Sequence, residues 1–311
     1  MEIDSMETLL QHCQDQGKSI GEVMLDYEVK KSGRSREKVL EMMVERLKKM
    51  KEAVDQGSDD PSPAPSGISG GDAKIMGQYR KEDHPFSGPL IFDAMRFAFA
   101  TSEHNARMGV IVATPTAGSA GVLPGCLFSL YDNAGYSFDS LVMGLMTASA
   151  IGFVIANRSF VSGAAGGCQA EVGSAVAMAA AAIVELKGGK PAQAIHAAAI
   201  SLKSMLGLVC DPVAGLVEVP CIKRNAIGTA IAFSAADIAM AGVESRIPCD
   251  EVIATMYDIG RSMPRTLRET SLGGLAVTPT GKKVKERLFQ QNKDEARRKT
   301  ESQPCRESNV D

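Results

Sequence analysis

The chain has 311 residues, of which 44% are hydrophobic and 23% are charged, and its formal net charge is -3 at pH 7. These values are ordinary for a globular protein of one or two domains, and they argue against nucleic acid or an anionic membrane as a partner. Seven cysteines in a chain whose first residues are polar and acidic predict a cytoplasmic protein with free or metal-bound thiols.

The N-terminal part, residues 1–56, is predicted to be a small helical region. Apolar side chains recur at three- and four-residue spacing through residues 39–54, with Lys and Glu on the opposite face. This stripe is typical of a packing face, and it is also a candidate docking surface for a partner. Residues 57–73 are rich in Pro, Ser and Gly and are predicted to be a flexible linker.

Residues 74–285 are predicted to form the main domain, and its fold class is all-α because alternating strand patterns are scarce. Ala and Gly dominate its central helices, and such small side chains allow helix backbones to approach closely, so we expect a compact domain. The longest uninterrupted apolar helical run, residues 141–156, is shorter than the roughly 20 residues that a membrane span needs. The predicted helices cover residues 88–107, 121–134, 137–157, 168–187, 191–208, 223–243 and 250–263. The last segment, residues 286–311, is a charged tail that we expect to be solvated.

Three cysteines stand at the ends of these predicted helices, in apolar and Gly-rich surroundings: Cys168, Cys210 and Cys221. If their thiolates converge, they can hold a four-iron cluster by three corners and leave the fourth iron open to a substrate. Free cysteine is also among the most buried residue types, so three inert core thiols are the alternative. Cys126 and Cys249 fit that second interpretation.

The sequence around these cysteines resembles the alpha chain of the iron–sulfur-dependent L-serine dehydratases. The resemblance is carried by four segments, in which the contexts of the three cysteines are the most specific, and it is weaker near the N-terminus, at residues 21–28 and 33–37. The matching segments are 113–125 (ATPTAGSAGVLPG), 166–173 (GGCQAEVG), 210–225 (CDPVAGLVEVPCIKRN) and 271–281 (SLGGLAVTPTG).

The resemblance implies an enzyme that dehydrates L-serine to pyruvate and ammonia. It further implies a [4Fe–4S] cluster on the three cysteines as the cofactor, and a separate beta subunit as a partner. The Gly-rich loop before a predicted helix is the expected substrate-binding segment, because backbone N–H groups at a helix start hold carboxylates. Within that loop the candidate residues are Thr116, Gly118, Ser119 and Gly121.

A base must remove the α-proton of serine, and His104 is the best candidate among the four histidines because it precedes the Gly-rich loop. A structural role for His104 is the alternative. Cys305 is not assigned as a fourth cluster ligand, because it lies in the charged, non-matching tail.

Three other functions stay open at this point. The first is a related lyase such as a cysteine desulfidase, in which sulfide leaves instead of water. The second is a pyridoxal-phosphate dehydratase, which would need a lysine such as Lys203 within an α/β fold. The third is a non-catalytic helical subunit with inert cysteines.

Overall fold

A computed structural model describes residues 2–301, and within that range the fold is built from α-helices and short 3-10 turns without any strand. The predicted all-α class is therefore confirmed. An isolated backbone bridge between Cys210 and Arg268 is the nearest approach to sheet structure among the described residues. The helices are α1 (Met6–Gln16), α2 (Ile20–Ser32), α3 (Arg36–Ser58), α4 (Asp72–Glu82), α5 (Gly88–Ala106), α6 (Val122–Ala134), α7 (Phe138–Arg158), α8 (Gly163–Gly166), α9 (Cys168–Leu186), α10 (Pro191–Met205), α11 (Cys221–Met240), α12 (Cys249–Ser262) and α13 (Pro279–Glu301).

The N-terminal helices begin and end at local signals in the sequence. Ser5, Ser19 and Ser35 cap the first turns of α1, α2 and α3, because each side chain accepts a hydrogen bond from a backbone N–H. Gly17 and Gly33 end α1 and α2 in the left-handed conformation that favours glycine. Short connections then bring the three helices back against the main domain, where α3 contacts α5 and α2 contacts α7.

The apolar stripe of α3 is part of this chain's own core. Val39, Met43, Leu47, Met50 and Val54 are all at most 7% exposed. The prediction that this stripe is a packing face is confirmed, and the suggestion that it docks a partner is wrong. The burial has a simple cause, since the N-terminal helices cover apolar positions on the main domain and remove both surfaces from water.

Helix α9 lies at the centre of the fold. Each of its residues from Cys168 to Val184 is buried, and it packs against α7, α10 and α11. Its run of alanines explains this position, because small side chains let three neighbouring helices approach one axis. Close approach of this kind gives a dense core without large aromatic residues, in agreement with an aromatic content of 5%.

Two helices, α7 and α9, are long and apolar enough to cross a membrane by length and composition alone. The apolar run at residues 141–156 lies within α7, which also includes the charged Asp139 and Arg158 near its two ends. Burial inside the fold gives a simpler explanation of their composition. The apolar windows of α7 and α9 are 67% and 89% buried within the protein, as expected for core helices.

The segment predicted to be a flexible linker makes specific contacts with the main domain. Glu103 accepts hydrogen bonds from the N–H groups of Gly71 and Asp72 at 3.1 and 2.8 Å, and so caps α4. Ser66 donates to a carboxylate oxygen of Glu218 at 2.8 Å. The division at residues 56, 73 and 285 stays a prediction. Helix α13 enters the predicted tail, and Cys305 lies outside the described residues.

Candidate active site

The three predicted ligand cysteines lie on neighbouring parts of the core. Cys168 is the first residue of α9 and Cys221 is the first residue of α11, while Cys210 lies in the loop that follows α10. Their exposed fractions are 1%, 4% and 2% respectively. The start of a helix favours negative charge, so two of the three sulfur atoms are placed where a thiolate is stabilised.

Negative charge at Cys168 would act on both other thiols, and negative charge at Cys221 would act on Cys210. Burial raises the pKa of Cys168 to about 11 and, together with negative charge at Cys168, raises the pKa of Cys221 to about 12. The pKa of Cys210 is raised by burial and then by charge at both other thiols. The pKa values of the remaining described cysteines are raised by burial without any contribution from another thiol: Cys13, Cys126 and Cys249.

A buried guanidinium lies beside this group of thiols. Arg224 lies beside Cys168, and its Nη1 and Nη2 donate to the Val209 carbonyl at 2.7 Å and to Asp211 Oδ1 at 2.9 Å. Asp211 in turn accepts from the Leu275 N–H at 2.8 Å. The positive charge of Arg224 lowers the pKa of the Cys168 thiol, but burial outweighs it. The ion pair between Arg224 and Asp211 therefore holds the loops around the three cysteines in place. The charge of Arg224 also favours negative charge on Cys168.

The loop that carries Cys210 is held by a short stretch further along the chain. The Cys210 N–H donates to the Leu267 carbonyl at 2.8 Å, and the Glu269 N–H donates to the Cys210 carbonyl at 2.7 Å. Between them, Nε of Arg268 is buried and has no hydrogen-bond partner among the described residues. A buried donor without a partner is unfavourable, so this position is suited to an anionic group.

Glu171 lies between the three cysteines and the Gly-rich loop. A Cβ atom at Gly163 would lie 2.6 Å from Cys210 Sγ and 3.2 Å from Glu171 Oε2, so both groups contact the same glycine. On the other side, Thr116 Oγ1 donates to Glu171 Oε1 at 2.6 Å. Gly118 is needed for this contact, because a Cβ there would lie 2.7 Å from Glu171 Oε1. Burial raises the pKa of Glu171, and the hydrogen bond from Thr116 opposes that rise.

The other predicted residues of the loop make hydrogen bonds that hold its conformation. Ser119 is fully buried and its hydroxyl donates to the Thr114 carbonyl at 3.2 Å. The Gly121 N–H donates to Asn225 Oδ1 at 3.0 Å, and Asn225 Nδ2 donates to the Gly118 carbonyl at 2.7 Å. Asn225 lies one turn after Cys221, so the loop and the thiol-bearing helix are tied together. The N–H groups of residues 117 and 118 have no acceptor in the described part of the chain.

His104 lies away from this constellation. Its ring packs on Gly109, where a Cβ would lie 2.1 Å from Nε2, and its charge interacts with Arg107 and Asp60. Burial and the charge of Arg107 lower the pKa of His104. Within residues 2–301, no hydrogen bond joins His104 to the loop or to the cysteines, so its role as a base stays a prediction.

The donor set suits a cluster better than a single metal ion. In the described part of the chain, no three His, Cys, Asp or Glu side chains are spaced to hold one ion. A four-iron cluster binds each cysteine through a different iron, so its ligand sulfurs lie farther apart than those around one ion. Three buried thiols, a neighbouring guanidinium and the unpartnered Arg268 Nε fit the larger, anionic group.

Sequence reasoning missed two residues at the centre of this site, Glu171 and Asn225. Both were within matching segments, and Glu171 had a further signal, since it is the single charged residue in α9 before Glu185. A lone carboxylate in an apolar helix needs a partner, because an unpaired buried charge is costly. The partner, Thr116, is 55 residues away and could not be identified from spacing.

The fold and the site define an all-α protein in which buried thiols adjoin a carboxylate and a hydroxyl-bearing loop. A sequence profile described as "Serine dehydratase alpha chain" matches residues 15–276. The chain belongs to this family.

Curated relatives agree with that assignment. The chain is 53% identical over 270 residues to the "Probable L-serine dehydratase, alpha chain" of Bacillus subtilis, a match that covers 87% of this chain and 90% of the relative. It is 41% identical over 283 residues to the "L-serine dehydratase, alpha chain" of Peptoniphilus asaccharolyticus, covering 91% and 97%. It is also 38% identical over 280 residues to "L-serine dehydratase 2" of Escherichia coli, covering 88% of this chain and 61% of the relative.

Proposed function

We propose that this chain is the alpha subunit of an L-serine dehydratase, which converts L-serine to pyruvate and ammonia with a [4Fe–4S] cluster on Cys168, Cys210 and Cys221. The observation that carries the proposal is the placement of three buried cysteines, two as the first residues of α9 and α11 and one beside Gly163, next to the Thr116–Glu171 hydrogen bond. Family membership supports the substrate. We also place the enzyme in the cytoplasm, since its six described cysteines are free thiols.

The chemistry of the donors supports the cluster. A bound cluster would supply Lewis acidity at an iron that no cysteine ligates, which eases the departure of the serine hydroxyl. The raised pKa values of the three thiols mean that each needs a nearby cation to ionise, and iron is such a cation. Arg224 and Arg268 then face the negative charge that three thiolates bring.

The Gly-rich loop is suited to the substrate carboxylate. The N–H groups of Ala117 and Gly118 have no acceptor among the described residues, and they precede the start of α6. Successive free N–H groups in a turn are suited to bind an anion such as a carboxylate. Thr116 is oriented by its hydrogen bond to Glu171, so its hydroxyl position is fixed before substrate arrives.

Two groups compete for the role of the base that removes the α-proton. Glu171 accepts a hydrogen bond from the loop and shares its contact with Gly163 with Cys210, whereas His104 packs on Gly109. We therefore propose Glu171 Oε2, ahead of His104, as the atom that accepts the α-proton of serine. Glu171→Gln should abolish turnover while iron content is retained, and His104→Gln should leave turnover within about tenfold of the parent. The reverse pattern would return the role to His104.

The cluster is tested by iron and acid-labile sulfide analysis on anaerobically purified protein. The Cys168→Ser, Cys210→Ser and Cys221→Ser variants should each lose the brown colour and most of the iron. Cys126→Ser and Cys249→Ser are matched controls, because these thiols are equally buried and lie outside the group. Full iron content in any of the first three variants would remove that residue from the site.

We propose a separate beta subunit as the partner. The names of the Bacillus and Peptoniphilus relatives support a multi-chain enzyme. A candidate contact surface is the groove beside Arg224, lined by Leu208, Pro220 and Ile227, because Ile227 is an apolar side chain that is 58% exposed.

The isolated alpha chain should then contain the cluster and have little turnover, and added beta chain should restore conversion of L-serine to pyruvate. Ile227→Asp should weaken that restoration. Ile238→Asp is the matched control, since Ile238 is 40% exposed on the same helix but does not line the groove. Full activity from the alpha chain alone would contradict the need for a partner.

A further inference from the structure

A cavity of about 340 Å³ lies between the N-terminal helices and the core, apart from the thiol group. Its walls come from α2, α3, α7 and α9 and from the extended segment before the Gly-rich loop. The floor is made of flexible, polarisable thioether side chains, which adapt to ligands of varied shape. These buried residues are Met24, Met43, Met50, Met146 and Met178.

The rim of this methionine cavity carries excess positive charge. Arg34 and Arg46 line it and are exposed, and in the described part of the chain neither has a carboxylate within salt-bridge distance. The side chain of Arg46 instead contacts Met43 Sδ at 3.5 Å. Glu28 is the single acidic residue of the lining. Two unpaired guanidinium groups against one carboxylate favour a ligand with one negative charge.

A buried hydroxyl of the lining lacks a partner. Thr114 is 4% exposed, and its Oγ1 has no hydrogen-bond partner among residues 2–301. The backbone of the same residue is satisfied, because its N–H donates to the Thr116 carbonyl at 3.3 Å and its carbonyl accepts from Ser119. The free hydroxyl is thus the one polar group of Thr114 that a cavity ligand can satisfy.

We propose that the methionine cavity binds a small apolar monocarboxylate, with its chain among the methionines and its carboxylate at the arginine rim. The volume is at the lower end of the range for ligand pockets, roughly 300–1,000 Å³. The cavity is distinct from the active site, because Met178 lies seven residues after Glu171 on α9, about 10 Å along the axis. Its lining residues 112–114 nevertheless lead directly into the substrate loop.

Hexanoate is a suitable probe, with hexanol and hexylammonium as uncharged and oppositely charged comparators. Methyl spectra of the full chain labelled with [methyl-13C]methionine report directly on the floor. Hexanoate should shift the resonances of the five floor methionines in a saturable way, and hexanol and hexylammonium should bind at least about tenfold more weakly.

Variants then separate charge from general apolar binding. The double variant Arg34→Gln/Arg46→Gln should weaken hexanoate binding about tenfold or more and leave hexanol unchanged. Arg36→Gln is the matched control, because Arg36 is ion-paired to Asp26 and does not line the cavity. The changed arginines are exposed, so the fold is retained. Equal affinity for hexanoate and hexanol would overturn the proposal. So would a spectrum in which hexanoate shifts only the resonances of other methionines and none of these five.

Discussion

Replacement of Asn225 by alanine should separate the stability of the site from that of the helices around it. Asn225 is 1% exposed, and its amide satisfies the Gly121 N–H at 3.0 Å and the Gly118 carbonyl at 2.7 Å. Each buried group left without a partner costs about 1–3 kcal/mol. With some relief from water entering the space, we expect Asn225→Ala to lower the free energy of unfolding by about 3 kcal/mol.

The measurement is urea denaturation followed by circular dichroism, with Asn133→Ala as the matched control. Asn133 also donates two hydrogen bonds, to Asp93 at 3.2 Å and to the Ser129 carbonyl at 3.1 Å, but it is exposed. Its replacement should cost about 0.5 kcal/mol, because water can take over both contacts. Equal losses in the two variants would refute the argument that the buried loop groups depend on Asn225.

Two further predictions concern the loop and its surroundings. Gly118→Ala should lower turnover strongly with iron retained, since the new Cβ would lie 2.7 Å from Glu171 Oε1; Gly77→Ala, whose Cβ would be 3.6 Å from its nearest neighbour, should be neutral in the same pyruvate assay. Burial raises the pKa of Glu103 above 4.5, so its contribution to stability is fully present below pH 4.5 and is lost as pH rises through the raised value. Glu103→Gln should therefore flatten the fall in unfolding free energy above pH 4.5 by at most about 1.4 kcal/mol per pH unit, and an unchanged slope in denaturation series would contradict this assignment.

The helices of the main domain could be predicted closely because their start and stop signals are local. The Gly188–Gly189 pair and Pro191, for example, delimit α9 and α10 near the predicted residues. Helix α4 was missed, because its first residue follows a Pro-, Ser- and Gly-rich stretch whose order depends on Glu103. The composition of a segment predicts its local preference only, and it cannot show a contact with a carboxylate that lies about 30 residues away in the sequence.

The candidate site was predictable only in part, and for a similar reason. The thiols and the Gly-rich loop stood out because both occur in unusual local contexts. The contacts that join them, through Glu171 and Asn225, cross 55 and 104 residues of sequence. His104 is close to the loop along the chain, but its ring packs on Gly109 and interacts with Arg107 and Asp60, so its role as the base stays a prediction.

The three cysteines are held in the fold in different ways, and this affects which of them can move. Cys168 and Cys221 begin helices that form the core, so neither can move without unwinding a buried turn. Cys210 is instead held by two backbone hydrogen bonds to residues 267–269, at the end of a 3-10 turn. The position of Cys210 thus depends on loop contacts, whereas the positions of the other two cysteines depend on core helices. A change in these loop contacts can therefore shift Cys210 while Cys168 and Cys221 keep their places in the core helices.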